Sequence, residues 1–198
     1  MKELLNLQKI CNLFKNMAIT TTTFYLIGGS LCIAASIFMF GSYFRSKKGA
    51  ILSLAFVFFL IGLRGYVFAS PTVFFPGNLD LLAFGYIVGT GMLFLIFLAG
   101  IEVQIFMARS VLTLRGIAIT CAIIVLLAIL TIGSMFYDFR TPLVDNFGII
   151  FWNVNPLAKW LIALSSFFYG ITWGFVFYKA GKLINEGYSK YRLMALSA

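Results

Sequence analysis

Charged residues in this chain come in short clusters, and long stretches between the clusters have none. Asn16 to Phe44, Gly49 to Leu63 with its continuation past Arg64, Leu81 to Ile101, Gly116 to Tyr137 and Trp160 to Tyr178 are apolar or weakly polar throughout. Each approaches or exceeds the ~20 helical residues that cross a ~30 Å hydrocarbon core. The pattern predicts an all-α fold: a polytopic membrane bundle of five transmembrane helices over 19–44, 49–70, 81–106, 116–137 and 158–180. Residues 1–18 precede this domain (19–180), and residues 181–198 follow it as a basic tail.

The connections refine this division. Arg45 to Lys48 form a tight turn that sets the second helix antiparallel to the first, and Pro71 is expected to stop the second helix. Pro76-Gly77-Asn78 is a turn signal before the third helix. In 1–18, Leu4, Leu7, Ile10, Cys11, Leu13, Phe14 and Met17 share about half of a helical wheel, the pattern of an interfacial helix lying along the headgroups. The alternatives are initiation at Met17, a leader without a role of its own, and a signal peptide cut near Ala34, Ala35 and Ser36. The one sizeable loop, Asp138 to Lys159, carries a short apolar stretch, Phe147 to Trp152, expected at the membrane interface, with Trp152, Trp160 and Tyr137 as an aromatic belt. Gly181 and Gly187 weaken the last helix, which is expected to run only a turn or two past the membrane.

Composition agrees with a bilayer as solvent: 62% hydrophobic and 11% charged residues, against about 25% charged in soluble domains. The net charge of +9 forms no stripe that would hold nucleic acid; the basic residues cap the apolar stretches. With the N-terminus outside, Arg45, Lys47, Lys48, Arg109, Arg115, Lys179, Lys182, Lys190 and Arg192 lie in the cytoplasm. Lys2, Lys9, Lys15, Arg140 and Lys159 then lie outside. Nine against five favours N-out and C-in. A prokaryotic cytoplasmic membrane is the expected location, with an organellar inner membrane as the alternative.

Few side chains offer chemistry. With no histidine, the commonest general base and the usual haem or zinc ligand are absent. Cys11, Cys32 and Cys121 are widely separated in sequence. No paired carboxylates, nucleophile elbow or phosphate loop occurs, so no catalytic, cofactor or metal site is expected and the chain is read as a non-enzyme.

The residues that call for an explanation are charges: Arg64, Asp80, Glu102, Asp138 and Arg140. At ~1.5 Å per residue, Arg64 sits ~22 Å from the Gly49 end of its helix, and Glu102 sits ~31 Å beyond Leu81 at the opposite boundary. They are therefore too far apart to pair. Asp80 or Asp138 is the expected partner of Arg64, and Arg109, Arg45 or Lys48 that of Glu102. Gly85 with Gly89, and Gly170 with Gly174, have the small-xxx-small spacing of close helix packing, expected inside one chain rather than between copies.

Three functions fit. The first is a non-catalytic subunit of a larger membrane complex, its partners being the lipid bilayer and other membrane subunits or a second copy. The second is a small oligomeric channel or carrier whose path would use Thr20 to Thr23, Tyr25, Arg64, Tyr66 and Thr90. The third is a receptor or sensor bundle that detects a ligand through the 138–159 loop and signals through a separate partner.

Overall fold

The computed structural model describes residues 19–107, 113–145 and 149–196. The interfacial segment expected over 1–18 lies outside these residues, as does Arg109. Five long helices account for almost all of the described chain: α1 (Ile19–Ser46), α2 (Gly49–Phe74), α3 (Leu79–Met107), α4 (Leu114–Tyr137) and α5 (Pro156–Leu196). All five are long and apolar enough to cross a bilayer, which makes this an integral membrane protein. Between α4 and α5 lie two short antiparallel strands, β1 (Leu143–Val144) and β2 (Ile150–Phe151), with Leu143 opposite Phe151 and Val144 opposite Ile150.

The helix ends follow local chemistry. Lys47, with φ of 54°, ends α1 in the left-handed region, its N–H donating to the Tyr43 carbonyl. Asn78 Oδ1 accepts from the Leu81 N–H at the start of α3, and Thr113 Oγ1 accepts from the Gly116 N–H at the start of α4.

Pro71 does not stop α2, which continues to Phe74 with Pro71 buried inside it. Proline leaves the carbonyl four residues earlier, that of Val67, without its helical donor. The Ser70 hydroxyl donates to that carbonyl at 3.2 Å, so the freed group is satisfied without water. Gly85 on α3 leaves room for the ring: a Cβ there would stand 2.8 Å from Pro71 Cγ.

Packing between helices rests on such close approaches, because lipid tails compete with any purely apolar contact. α1 and α2 cross where Gly29 meets Gly62 and Gly65. A Cβ on Gly65 would sit 2.8 Å from the Tyr25 carbonyl oxygen, and one on Gly62 would sit 2.8 Å from that of Gly29. The same interface carries two hydrogen bonds at 2.8 Å, from Ser36 Oγ to the Ala55 carbonyl and between Ser30 Oγ and the Tyr66 hydroxyl. α3 is the hub: 56% of its span is buried, against 11% for the spans of α1 and α5. One of its faces meets α2. The other builds a core of Phe94, Phe97 and Ile101 with Ile124 and Leu127 of α4, onto which Tyr169 of α5 stacks, 4.3 Å from the Phe97 ring.

The Gly29, Gly62 and Gly65 crossing has a direct test. Gly65→Leu is expected to destabilise the protein by about 1–3 kcal/mol in thermal unfolding in detergent, the ordinary cost of overpacking. Gly28→Leu, on the neighbouring position of α1 with nothing within 4 Å of its Cβ, is expected to leave the melting temperature unchanged. Equal melting temperatures for the two variants would contradict the crossing.

Candidate functional site at the hairpin end

The strands and the segment leading to α5 fold over the ends of α1, α2 and α3. Asp145 closes the hairpin: its backbone N–H donates to the Ile149 carbonyl, and its Oδ1 accepts from the Ile149 N–H. The backbone N–H of Ile150 reaches Thr21 Oγ1 of α1 at 3.2 Å, and Trp152 Nε1–H donates to the Tyr25 hydroxyl at 3.3 Å. Trp152, expected from its sequence setting in an interfacial belt, is held against the ends of the helices. It stacks on Tyr86 of α3 with ring centres 4.5 Å apart and leans on Phe68 of α2 at 5.6 Å. Phe68 also stacks on Tyr86 at 5.7 Å and meets Tyr25 at 5.0 Å. Four rings from α1, α2, α3 and the hairpin form one cluster. Trp160 and Tyr137 stay exposed, as do Phe139 and Phe151.

Arg64 lies beneath this cluster, one helical turn from Phe68 on the same face of α2. Its Nε–H donates to the Gly89 carbonyl at 2.9 Å, and its guanidinium carbon stands 4.8 Å from the Phe68 ring centre. Gly89 is needed there because a Cβ would enter the Phe68 ring. The carbonyl of a helical residue keeps a second lone pair after its own helix bond, and Arg64 uses it. Neither Asp80 nor Asp138 pairs with Arg64, against the sequence expectation. Asp80 is exposed in the first turn of α3, where the helix dipole favours a carboxylate. A carbonyl and an aromatic face replace the carboxylate, the face contributing about 0.5–2 kcal/mol.

Asp138 pairs instead with Arg140, two residues on, Arg140 Nε donating to both carboxylate oxygens at 2.9 and 3.0 Å. The hydrogen bonds from Arg140 hold the Asp138 carboxyl below its ordinary pKa, and the carboxylate raises that of Arg140. Glu102 is exposed on α3 and, among the described residues, forms no ion pair. Among the described residues no three Cys, Asp or Glu side chains converge as a metal would need.

The junction of α4 and α5 is fixed by Asn155, buried at 4% exposure. Its Oδ1 accepts from the Ala158 N–H at 2.7 Å and caps α5, while its Nδ2–H donates to the Ser134 carbonyl of α4 at 2.6 Å. In sequence the signal is Asn155-Pro156, a capping residue followed by the proline favoured at the first helical position. Beside it are two hollows. A cavity of about 20 Å³, room for roughly one water, lies among Tyr86, Met135, Asp138, Arg140, Trp152 and Asn155. An open groove of about 680 Å³ runs between α4 and α5 along Ile129, Leu130, Gly133 and Leu157 and ends at Ser134 and Asp138. The groove is apolar along its length and polar at its hairpin end.

The four glycines of the two spaced pairs separate in the structure. Gly85 and Gly89 lie against Pro71 and Phe68 of α2, whereas a Cβ on Gly170 or Gly174 would meet nothing within 4 Å. The intramolecular packing expected for the second pair is not formed, because α4 and α3 contact the opposite face of α5. Gly62 and Gly65 had only their Gly-x-x-Gly spacing to mark them in sequence.

Two measurements check this geometry. Trp152→Ala removes the ring that closes the cluster and is expected to destabilise the protein by about 3–5 kcal/mol, with Trp152→Phe retaining most of the stability. A depressed folded-state pKa means that Asp138 contributes fully above its ordinary value of about 3.9 and loses the contribution as pH falls through the folded value. The difference in melting temperature between wild type and Asp138→Asn is therefore expected to be flat from pH 5 to 8 and to shrink below pH 4. A difference that changes between pH 5 and 8 would contradict the assignment.

No protein-family model, characterised protein or solved structure matches this chain.

Proposed function

We propose that this chain is a non-catalytic membrane receptor module. It recognises a small amphiphilic ligand at the hairpin end and transmits the bound state through α5. The observation that carries the proposal is Asn155, which borders both hollows and also caps α5, a single helix of 41 residues. At ~1.5 Å per residue α5 is ~61 Å long, about twice the hydrocarbon thickness. A ligand that shifts the Ser134–Asn155 contact moves the first turn of α5, and a continuous helix carries that shift to the other side.

The groove supports the ligand class. Its ~680 Å³ lies within the 300–1,000 Å³ range of small-molecule sites. Its apolar walls suit a hydrocarbon portion and its polar end suits a hydrogen-bonding head. With the N-terminus outside, as the distribution of basic residues favours, the hairpin faces outward and the far end of α5 faces the cytoplasm. The channel reading is weaker within one chain, because its polar groups are engaged between helices: Tyr66 with Ser30, Arg64 with Gly89, and Thr90 fully buried.

The accessory-subunit reading has one observation of its own. The span of α1 is largely uncovered, and Gly28 and Gly41 on it stand open. Another membrane protein would pack closely there. Intact-complex mass measurement after gentle extraction separates the two readings. Fixed stoichiometry with other polypeptides supports the subunit, and a complex of this chain alone removes that reading.

Gly133→Leu, which fills the groove and whose Cβ meets nothing within 4 Å, tests the receptor. The variant is expected to reach the membrane at normal abundance and to give the same cellular phenotype as deletion of the whole chain. A phenotype identical to wild type would contradict ligand recognition in the groove.

A further inference from the structure

The polar end of the groove between α4 and α5 is richer in acceptors than in donors. Among the described residues that line the groove, Asp138 carries the one charge, with Ser134, Tyr137 and Asn155 as its polar neighbours. The donors there are largely spent. The Ser134 hydroxyl donates to the Thr131 carbonyl at 2.8 Å, and Asn155 Nδ2–H donates to the Ser134 carbonyl at 2.6 Å. Asn155 keeps a second amide hydrogen, but the side chain is buried. At the start of α5, Pro156 has no N–H to offer. The Ala158 N–H goes to Asn155 Oδ1 and the Lys159 N–H to the Asn155 carbonyl. The N–H of Leu157 is the donor that this turn retains.

Acceptors remain open. A carboxylate offers about four lone-pair sites, and Arg140 approaches Asp138 through Nε and Nη2 alone. The Asp138 side chain is 41% exposed, so its other lone pairs are within reach of a ligand. Ser134 Oγ has given up its proton and can only accept. α4 ends at Tyr137, where the negative end of the helix dipole favours a cation. Arg140, the nearest positive charge, lines the small cavity and not the groove.

We propose that the ligand of this groove is a single-chain amphiphile with a protonated amine head, its ammonium on the Asp138 carboxylate and its chain along Ile129, Leu130 and Gly133. The assignment rests on the receptor reading above and names its ligand. An ammonium brings donors and no acceptor, the inverse of what the groove supplies. A carboxylate or phosphate head would meet the charge of Asp138 with the Leu157 N–H alone to receive it. The same shortage weighs against a diacyl aminophospholipid, whose phosphate stands beside its amine, because the cavity that Arg140 lines has room for roughly one water. Depth agrees with the assignment. Asp138 directly follows the membrane span of α4, so the head lies at the boundary and the chain within the hydrocarbon.

Maleimide labelling of one cysteine tests this. Leu157→Cys, at a groove position 60% exposed, is placed in the full chain with Cys11→Ala, Cys32→Ala and Cys121→Ala, in phosphatidylcholine nanodiscs at neutral pH. Dodecylamine, dodecanol and dodecanoate share one chain and differ in the head. Dodecylamine is expected to half-protect the cysteine at about one-tenth of the bilayer content that dodecanol needs, a ratio equivalent to ~1.4 kcal/mol, and dodecanoate is expected to protect least. Leu114→Cys, at the other end of α4, is expected to label equally with and without the amine. Asp138→Asn is expected to remove the advantage of the amine and keep the protection by dodecanol, and Asp138→Glu to retain both. Equal protection by the three heads, or stronger protection by dodecanoate, overturns the amine assignment and leaves the groove as an amphiphile site. Protection by none of them overturns the groove reading as well. Protection by phosphatidylethanolamine nanodiscs without added amine gives the site to a bilayer lipid and overturns the single-chain ligand.

Discussion

The bilayer takes away the force that holds soluble bundles together, and every feature of this fold answers that loss. Between two helices in lipid an apolar contact gains little over contact with acyl chains, so association needs close backbone approach or polar groups that lipid cannot satisfy. The chain uses both. Gly29, Gly62 and Gly65 bring α1 and α2 into backbone contact, and Ser36 and Tyr66 add hydrogen bonds across the same interface. Between α2 and α3 the pattern repeats with Gly85 under Pro71 and Gly89 under Phe68, and Arg64 bonds the Gly89 carbonyl.

That constraint also explains how the hairpin-end site is built. A loop of polar and aromatic residues at the edge of a bilayer is held only if its own groups find partners, and here they do. Thr21 takes the Ile150 N–H, Tyr25 takes the indole N–H of Trp152, and the Ser134 carbonyl takes the Asn155 amide. The aromatic cluster then joins α1, α2 and α3 to the hairpin, while Asn155 joins the hairpin segment to α4 and α5. Each of the five helices is therefore tied to the hairpin segment by contacts of one or two residues.

The five long apolar helices were legible in the sequence because length and lack of charge are all that a bilayer demands. What was illegible depended on residues far apart in the chain. Pro71 reads as a stop, and only the Ser70 hydroxyl and the space over Gly85 let α2 continue past it. Arg64 in an apolar stretch calls for a carboxylate, whereas a carbonyl exposed by glycine and a phenylalanine face serve instead. Trp152 has the surroundings of an interfacial anchor, but the stack of Tyr86 and Phe68 that receives it comes from two other helices. The helix after Tyr178 was expected to fade within two turns on account of Gly181 and Gly187, yet it continues to Leu196.

Coupling of the hairpin to the bundle ties the five helices together at this end, and hydrogen–deuterium exchange of the full chain in lipid nanodiscs measures it most directly. A hairpin docked through Trp152 and Asn155 keeps the amides of Ile150, Ala158 and Lys159 protected on the timescale of the α3 core. Exchange of those amides within seconds, while α3 stays protected, would show a free loop and contradict the coupling of the hairpin to α5.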